Sequence, residues 1–412
     1  MRFLYDFSLF LYFVGIKIAS IFNPKAKKWI DGRKQIFEEI ARNWDANHKS
    51  IWIHCASLGE LEQVRPLIEQ LKKTYPSHKI LLTFYSPSGY DIRKNYPLAD
   101  YVCYLPFDTK KNADKFINLI QPNLAIFVKY EFWYHHLITL KNRKIPTLLV
   151  SALFRPNQPF FKWYGQLHRE MLSTFQHLFI QNQGAAQLLK KHAWNNYSIA
   201  GDTRIDRVID IANKAATFPI IKTFVGDTPT LIAGSTWPVD EQLLIPFIQQ
   251  QTDNNWKFII APHNIQDRYI NDLEQKLGSL CIRYSLAKEK KIENQRVMII
   301  DNIGMLSSIY QYGKIAYIGG GFGAGIHNTL EPIAFGLPVI FGPKYQKFTE
   351  ALTLVQDGGA FVIQNEKTVQ QVMDRLSRPN NYDDASSKAK AYISHNQGAT
   401  KKILVYIQNN IL

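Results

Sequence analysis

Cysteine is scarce in this chain, whose 412 residues include only Cys55, Cys103 and Cys281. Each stands alone in an apolar segment, without the even number of a disulfide framework, so the sequence predicts a reducing compartment. No group of His, Cys and carboxylates has the spacing of metal ligands, which predicts chemistry without a metal or another cofactor. Internal repeats and low-complexity tracts are also missing, so solenoid and disordered classes are excluded.

Acidic residues are too few to balance the basic ones. Asp and Glu number 34 against 49 Lys and Arg, which gives a formal net charge of +15. The positive field of such a surface predicts an anionic partner. Nucleic acid, an acidic bilayer surface and a phosphorylated substrate all fit this prediction, and charge alone does not choose among them.

The N-terminal region lacks an uninterrupted apolar run of membrane-spanning length. Residues 7–16, FSLFLYFVGI, are uncharged, but Asp6 and Lys17 interrupt the apolar segment that extends over residues 3–22. Because a hydrocarbon core requires about 20 residues, we expect residues 1–22 to form a membrane anchor that either spans briefly or lies in the interface. The basic segment that follows suits anionic headgroups at a cytoplasmic membrane surface. An amphipathic helix packed on the first domain is the alternative.

Short apolar runs alternate with helix-compatible segments through most of the chain, a pattern typical of βαβ units. One series includes IWIHCA, KILLTF, LAIFV and TLLVSA, and a second restarts after Pro219 with PTLIAGS, KFIIAP, VMIID and KIAYIGG. Such continuous runs indicate parallel strands buried on both faces. The predicted fold is α/β, with two doubly wound, Rossmann-like domains facing a central crevice. The predicted bounds are an anchor at 1–22, domains at 23–212 and 213–385, and a C-terminal helix at 386–412 that packs on the first domain.

The first strand ends in a motif that places a carboxylate at helix-capping distance. In IWIHCASLGE, Ser57 and Glu60 have the spacing of a capping box, so a purely structural role is one interpretation. The other interpretation is catalytic, because a carboxylate in the first turn after a central strand faces the crevice and can accept a proton from a hydroxyl. The helix N-terminus would keep that carboxylate ionised, as a general base requires.

A second acidic residue, Glu131, directly follows LAIFV and its neighbouring Lys-Tyr pair, among aromatic residues. Such a carboxylate can bind sugar hydroxyls, with an ordinary loop carboxylate as the alternative. Further along, SALFRPNQPFFKWYG places Arg155 among aromatic residues. This mixture suits an amphiphile with an anionic headgroup, and it also suits single-stranded nucleic acid.

The most specific segment of the second half is IGGGFGAGIHNTLEPIAFGLPVIFG, residues 318–342. Its glycine-rich loop and the helix cap at Asn328–Glu331 predict backbone N–H groups that can hold a phosphate, with a flexible turn and a capped helix as the alternative. The loop matches neither the dinucleotide motif GxGxxG nor the ATP motif GxxxxGK[ST]. Two more strand-end loops, Pro262–His263 and Ile303–Met305, would meet it at one edge of a parallel sheet.

With these motifs, the chain resembles the Kdo transferases, which attach 3-deoxy-D-manno-oct-2-ulosonic acid (Kdo) to the lipid A precursor. The similarity covers most of the chain and is carried by IWIHCASLGE, PFD followed by YEFWYHHL, GDTRIDR, GSTWPVDE and the glycine-rich segment. It implies a GT-B fold, a CMP-Kdo donor, inversion at the anomeric carbon, a lipid A precursor as acceptor, and catalytic domains on the cytoplasmic side of the inner membrane. Nucleic acid is then not expected as a partner.

The resemblance also implies roles for individual residues, with Glu60 as the general base. The implied contacts with CMP are Pro262, His263, Ile303, Gly304, Met305, Asn328, Thr329, Leu330 and Glu331. Our candidates for further substrate contacts are Ser57, Gly59, Glu131 and Arg155.

Two positions depart from the pattern of many family members, which carry arginine where His263 stands and glutamate where Met305 stands. A histidine makes a weaker, pH-dependent phosphate contact, unless nearby Arg268 takes that role. Two other hypotheses stay open, because a fold does not determine a function. One is another GT-B sugar-nucleotide enzyme, such as an epimerase, and the other is a non-catalytic basic protein that holds a phosphorylated lipid.

Overall fold

The computed structural model describes residues 2–251, 256–289, 292 and 295–412. Within these ranges the chain divides into two compact units, Met1–Arg207 with Gln397–Leu412, and Val208–Asn396. Each unit is an α/β domain built on one parallel sheet, so this part of the predicted fold class is confirmed.

The strands of the first unit form a parallel sheet with a reversal in its order. They are β1 (Ser50–Cys55), β2 (Lys79–Phe84), β3 (Tyr101–Tyr104), β4 (Leu124–Val128), β5 (Thr147–Ala152), β6 (His177–Ile180) and β7 (Tyr197–Ile199). Their order is β3-β2-β1-β4-β5-β6-β7, so the direction of strand addition reverses between β1 and β4. At such a switch point the loops after the two strands diverge and leave room for a ligand.

Helices cover both faces of this sheet and explain its continuous apolar strands. They are α1 (Arg2–Ala19), α2 (Pro24–Asp31), α3 (Ile36–Asn43), α4 (Leu58–Thr74), α5 (Pro87–Arg93), α6 (Lys110–Ile120), α7 (Tyr134–Asn142), α8 (Gln166–Leu172), α9 (Gln183–Lys191) and α10 (Thr203–Asn213). Trp52 and Phe127 point into the core on one face, whereas Ile53 and Ile126 point into the core on the other. All of β1 is therefore buried.

The second unit repeats this architecture in its described residues. Its strands are β8 (Thr230–Thr236), β9 (Lys257–Pro262), β10 (Cys281–Arg283), β11 (Val297–Ile299), β12 (Ile315–Ile318), β13 (Val339–Phe341) and β14 (Ala360–Val362). Its helices are α11 (Pro219–Val225), α12 (Pro238–Gln250), α13 (Asp267–Leu277), α14 (Leu306–Ile309), α15 (Leu330–Ala334), α16 (Thr349–Asp357), α17 (Glu366–Ser377) and α18 (Pro379–Asn396). The strand order β10-β11-β9-β8-β12-β13-β14 places the switch point between β8 and β12.

The N-terminal helix α1 packs on the first unit. The Tyr5 hydroxyl donates a hydrogen bond to Asp108 at 2.6 Å, and Asp6 Oδ1 lies 2.6 Å from His135 Nε2. Among the described residues, no helix combines the length and the apolar character needed to cross a bilayer. A spanning anchor over residues 1–22 is therefore unsupported, since charged residues such as Asp6 and Lys17 interrupt the apolar sequence and one face of α1 contacts the protein.

The C-terminal region differs from the single helical segment expected at 386–412. Helix α18 contacts α15, α16 and α17 of the second unit, and only α19 (Ala399–Asn410) returns to the first unit, against α4. The Asp206 carboxylate accepts the backbone N–H groups of Gly398 at 2.6 Å and Thr400 at 2.7 Å, which caps α19. The break between the helices falls at Gly398, whose φ of +90° suits glycine, and not at residue 386.

Candidate active site

The loop after β1 places Glu60 in the first turn of α4, beside the switch point of the first sheet. Its Oε2 accepts a hydrogen bond from the Ser57 backbone N–H at 2.9 Å, and Ser57 Oγ lies 3.4 Å from the same oxygen. This geometry is the Glu60 half of a capping box, so the structural interpretation of the motif has a basis. Gly59 is exposed next to this carboxylate.

The surroundings of Glu60 raise the pKa of its carboxyl group. Burial is the largest cause, because it disfavours the charged form, and the negative charge of Glu131 acts in the same direction. The backbone N–H of Ser57, the His54 ring and the backbone N–H of Ala56 oppose this rise. A raised pKa makes the ionised carboxylate a stronger base, so capping and proton abstraction are compatible roles for one side chain.

Glu131 follows β4, on the other side of the switch point, and buried donors hold its carboxylate. Its Oε2 accepts a hydrogen bond from Trp133 Nε1 at 2.8 Å and lies 3.0 Å from His54 Nε2. His54 Nδ1 lies 2.9 Å from Thr83 Oγ1, and Trp52 Nε1 donates to that hydroxyl at 2.8 Å. His54 thus lies between the Glu131 carboxylate and the Thr83 hydroxyl, with one ring nitrogen within hydrogen-bonding distance of each.

These hydrogen bonds connect Glu131 to buried side chains of the core and so fix its position. His54 and Thr83 have no exposed surface, so water does not replace a lost partner there. The backbone at the end of β4 is also constrained, because Lys129 has a φ of +64°. A left-handed conformation costs a non-glycine residue about 1–2 kcal/mol, and such strain is concentrated at functional sites.

Arg155 is exposed in the loop after β5, within electrostatic reach of the segment that carries Glu131. Burial raises the pKa of the neighbouring Tyr130, and the charge of Arg155 opposes that rise. The backbone N–H of Arg155 donates to the Gln158 side chain at 2.8 Å. The first unit thus brings together Ser57, Glu60 and Glu131, with Arg155 beside them.

A cavity of about 290 Å³ lies at the switch point of the second sheet. Its lining includes three of the predicted donor-site residues, Gly304, Asn328 and Glu331. Asn328 Nδ2 donates to Glu331 Oε1 at 2.9 Å, and Asn328 Oδ1 accepts the Leu330 backbone N–H at 3.0 Å. These bonds fix the two polar side chains in the cavity wall, where they can contact a polar ligand.

Other predicted donor-site residues present no side chain to this cavity. Thr329, Leu330 and Met305 are buried, as is Pro262 at the end of β9. Ile303 is 85% exposed and absent from the cavity lining. Ligand contacts from the buried positions therefore have to come from the backbone.

The glycine-rich loop has a packing role that its sequence did not reveal. A Cβ on Gly319 would lie 2.1 Å from the Ser235 carbonyl oxygen, and one on Gly321 would lie 2.6 Å from the Gly342 nitrogen. These glycines therefore permit close backbone approach between loops. Helix α15 has only 5 residues, so its dipole stabilises a bound phosphate less than the predicted helix cap implied.

Two residues outside the predicted contacts with CMP complete a stack of rings with His263. They are Trp237 in the GSTWPVDE motif and His327 in the glycine-rich segment. The ring centroids of Trp237 and His263 are 4.4 Å apart, and those of His263 and His327 are 4.9 Å apart. Trp237 Nε1 also donates to His327 Nε2 at 2.9 Å. Their positions after β8 and β12, the two strands at the switch point, were the available signal.

Comparison with known proteins finds a family match over the first unit and relatives over most of the chain. Residues 31–207 match the family described as 3-Deoxy-D-manno-octulosonic-acid transferase (kdotransferase). The 3-deoxy-D-manno-octulosonic acid transferase of Aquifex aeolicus is 27% identical over 323 residues, which are 77% of this chain and 83% of that protein. The Haemophilus influenzae protein of the same name is 25% identical over 383 residues, 88% of each chain. Residues 31–207 thus match the Kdo transferase family, and relatives that carry the same name align with most of the chain.

Solved structures similar to this chain share its fold. A putative UDP-N-acetylglucosamine 2-epimerase from Listeria monocytogenes aligns with a TM-score of 0.62 at 12% identity, over 88% of this chain and 96% of that one. The calicheamicin glycosyltransferase CalG4 aligns with a TM-score of 0.58 at 12% identity, over 89% of this chain and 100% of that one. At these identities the similarity concerns the fold alone, and it supports a GT-B-like class.

Proposed function

We propose that this protein moves Kdo from CMP-Kdo to a sugar hydroxyl of the lipid A precursor, with Glu60 as the general base. The position of Glu60 supports this proposal most directly. A partly buried carboxylate with a raised pKa stands directly after the strand beside the switch point, where an open α/β sheet binds its ligand. The Ser57 N–H fixes one carboxylate oxygen and leaves the other to accept a proton.

The proposed reaction is a single displacement. Glu60 removes the proton from the acceptor hydroxyl while the oxygen attacks the anomeric carbon of Kdo. The bond from that carbon to the phosphate oxygen of CMP breaks, and CMP leaves with the electron pair. One displacement inverts the configuration of the anomeric carbon. Glu131, held by His54 and Trp133, acts as a positioning group that also raises the basicity of Glu60.

The second unit provides the proposed donor site. Glu331 binds the ribose hydroxyls of CMP, since its carboxylate is fixed by Asn328 in the wall of the cavity. The exposed imidazole of His263 contacts the phosphate, and its stacking on Trp237 orients it. Arg268, exposed in the first turn of α13, is the alternative phosphate contact. Thr329, Leu330 and Met305 support these loops from the core.

Incubation with CMP-Kdo and the lipid A precursor, followed by mass spectrometry of the lipid, tests the proposal. Glu60→Gln should lower turnover by about 10²–10⁴-fold, since a positioned base contributes that much. Glu62→Gln is the matched control, because Glu62 lies on the same helix and pairs with Arg65 and Arg93 on the surface. Retention of wild-type turnover by the Glu60 variant would show that the base is another group.

The same preparations separate the two other hypotheses. CMP should raise the unfolding temperature of both Gln variants, since a ligand of the native state stabilises it, whereas a simple lipid holder should show no CMP effect. An epimerase would convert a UDP-sugar without any lipid acceptor. The fold similarity to UDP-N-acetylglucosamine 2-epimerases makes UDP-N-acetylglucosamine the sugar nucleotide for that assay.

The proposed place of action is the cytoplasmic surface of the inner membrane, with α1 lying in the interface. Phe3, Leu4, Phe7, Phe10 and Leu11 are at least half exposed along α1, and the net charge of +15 favours anionic lipid. Flotation with phosphatidylglycerol vesicles should capture the protein at low salt and less of it at high salt. A protein that remains unbound to these vesicles at low salt contradicts this location.

A further inference from the structure

A large cavity in the first unit is separate from the switch point. Its volume is about 800 Å³, and it lies among α1, the segment from Trp29 to Phe37, and the loop at 106–112. Apolar side chains form much of its lining: Leu9, Phe10, Phe13, Ile30, Ile36 and Phe37. Cavities of about 300–1,000 Å³ accommodate ligands of the size of a drug or a lipid chain.

Polar contacts hold the walls of this cavity in place. Asp108 accepts hydrogen bonds from the Tyr5 hydroxyl at 2.6 Å and from the backbone N–H groups of His135 at 3.1 Å and His136 at 3.0 Å. The Tyr134 backbone N–H donates to the Tyr5 oxygen at 3.2 Å. Helix α1 is thus tied to the start of α7, so the cavity is part of the folded unit.

The charge of the lining favours an anion. Five cationic side chains and two carboxylates, Asp6 and Asp108, line the cavity. Both carboxylates are engaged, Asp108 by Tyr5 and His136, and Asp6 by His135 and Arg2. Arg2 pairs with Asp6 and Lys34 pairs with Asp31, but five formal positive charges against two negative ones still give the lining a net positive charge.

Arg33 is the innermost of these cations. Its guanidinium donates to the carbonyl oxygens of Leu105 at 2.9 Å, Trp29 at 3.0 Å and Tyr85 at 2.8 Å. Within the described ranges, no carboxylate is hydrogen-bonded to it. Burial lowers its pKa to about 10, so it is still charged at neutral pH. Three carbonyl dipoles hold this charge without neutralising it.

Two lysines extend the positive charge to the rim. Lys110 and Lys111 are exposed in the first turn of α6, and no ion pair involves either of them in the part of the chain that the structure describes. Cations at a helix N-terminus oppose the helix dipole. A local cost of this kind is expected where function selects the residues.

The lining therefore combines an apolar interior with a cationic rim, which is complementary to a phosphorylated lipid. We propose that the cavity holds one acyl chain of the lipid acceptor, with a phosphate of its headgroup at Lys110 and Lys111. This inference rests on the proposed function for the identity of the lipid. It adds a binding site whose lining does not include Glu60 or Glu131.

Aromatic contacts connect this cavity to the candidate active site. The ring of Trp29, in the cavity wall, lies 5.6 Å from that of Tyr85, and Tyr85 stacks on Trp133 at 4.3 Å. Trp133 in turn donates to Glu131. Because these contacts connect the cavity wall to the segment that carries Glu131, the occupant that we propose is the acceptor and not a bulk phospholipid.

Binding of soluble alkyl phosphates to the full chain tests the site without any transfer reaction. In calorimetric titrations below the micelle concentration, affinity should rise about fourfold for each added methylene and then level off when the cavity is full. Alkyltrimethylammonium salts of equal length should bind at least tenfold more weakly. Equal affinity for the two charges, or no dependence on chain length, overturns the site.

Matched variants locate the binding. Leu9→Trp fills the cavity, whereas Phe7→Trp alters the exposed face of the same helix. The double variant Lys110→Glu with Lys111→Glu reverses the charge of the rim. It should still fold, because acidic residues stabilise a helix N-terminus. Lys190→Glu with Lys191→Glu, at the far end of α9, is the charge control. The Leu9 variant and the Lys110/Lys111 variant should bind alkyl phosphates at least tenfold more weakly than their controls. Equal affinity of all four variants for alkyl phosphates overturns the site.

Kinetics then identify the occupant. With active enzyme, Leu9→Trp should raise the KM for the acylated acceptor at least tenfold and leave the KM for CMP-Kdo unchanged. A deacylated acceptor should show no difference between Leu9→Trp and Phe7→Trp. Unchanged KM for the acylated acceptor, with alkyl phosphate binding lost, overturns the assignment to the acceptor and indicates a membrane phospholipid. If the wild type itself does not transfer Kdo, the proposed function fails. The calorimetric titrations still show in that case whether the cavity binds alkyl phosphates.

Discussion

Replacing Thr83 with valine should test how Glu131 is positioned. The Thr83 hydroxyl accepts a hydrogen bond from Trp52 Nε1 at 2.8 Å and lies 2.9 Å from His54 Nδ1, and it is the link between these two residues. Valine has nearly the same shape as threonine but neither donates nor accepts a hydrogen bond. The substitution therefore removes both bonds and leaves the β1–β2 pairing intact.

The expected cost follows from burial. His54 and Thr83 are fully buried and Trp52 is 1% exposed, so neither orphaned group gains water as a partner. An unsatisfied buried polar group costs about 1–3 kcal/mol, and two of them give about 2–6 kcal/mol for Thr83→Val. At about 2–4 °C per kcal/mol for a domain of this size, the loss should be visible in thermal unfolding. The freed imidazole should also turn away from Glu131 and lower kcat.

Thr174→Val is the control, because the Thr174 hydroxyl donates a single bond to the Met171 carbonyl at 2.6 Å elsewhere in the first unit. The free energy of unfolding of that variant, measured with denaturant, should fall by about 0.5–1.5 kcal/mol, and its kcat should not change. Adding Trp52→Phe to the Thr83 variant removes one orphaned donor, so the double variant should cost less than the sum of the single ones. The proposed positioning is refuted if Thr83→Val costs no more than Thr174→Val and retains wild-type kcat.

Four further predictions concern acid–base behaviour, capping and the donor site. Glu131→Gln removes a negative charge that raises the pKa of Glu60, so the acid limb of the kcat/KM profile should move to lower pH; an unmoved limb contradicts the coupling. Asp206→Ala uncaps α19 and should cost about 0.5–2 kcal/mol in denaturant unfolding, whereas the surface variant Asp272→Ala should stay within about 0.5 kcal/mol. His263→Arg should tighten CMP binding in calorimetry, most clearly at alkaline pH, where an imidazole is neutral. Chelation of divalent metals should leave Kdo transfer unchanged, and a loss restored by added metal would contradict metal-independent chemistry.

The strands could be predicted from the sequence because burial on both faces leaves a simple pattern. KILLTF and LAIFV coincide end for end with Lys79–Phe84 and Leu124–Val128. Both runs are mainly apolar, since helices cover the sheet above and below. The same pattern in IWIHCA and LAIFV predicted that Glu60 and Glu131 follow the carboxyl ends of strands, without any knowledge of strand order.

Contacts that depend on strand pairing could not be predicted in this way. His54 meets Thr83 because β1 and β2 pair in a register that sets these two residues side by side. No local pattern in either strand specifies that register, so the hydrogen bonds that orient Glu131 were invisible. The prediction of a spanning anchor at residues 1–22 failed for a related reason. The sequence shows the apolar residues of α1, but the face that packs on the protein is defined by contacts with Asp108 and His135, which are distant in sequence.

The stacked rings of the second unit explain how a histidine can serve in the donor site. Because His327 Nε2 accepts the Trp237 indole N–H at 2.9 Å, that nitrogen carries no proton, and His327 is held as a neutral ring. Burial also lowers the pKa of His327, with the charge of His263 as the second cause. In the proposed donor site, the phosphate contact then falls to the exposed imidazole of His263. Because an imidazole is neutral at alkaline pH, we expect CMP affinity to fall as pH rises, unlike that of a site built on arginine.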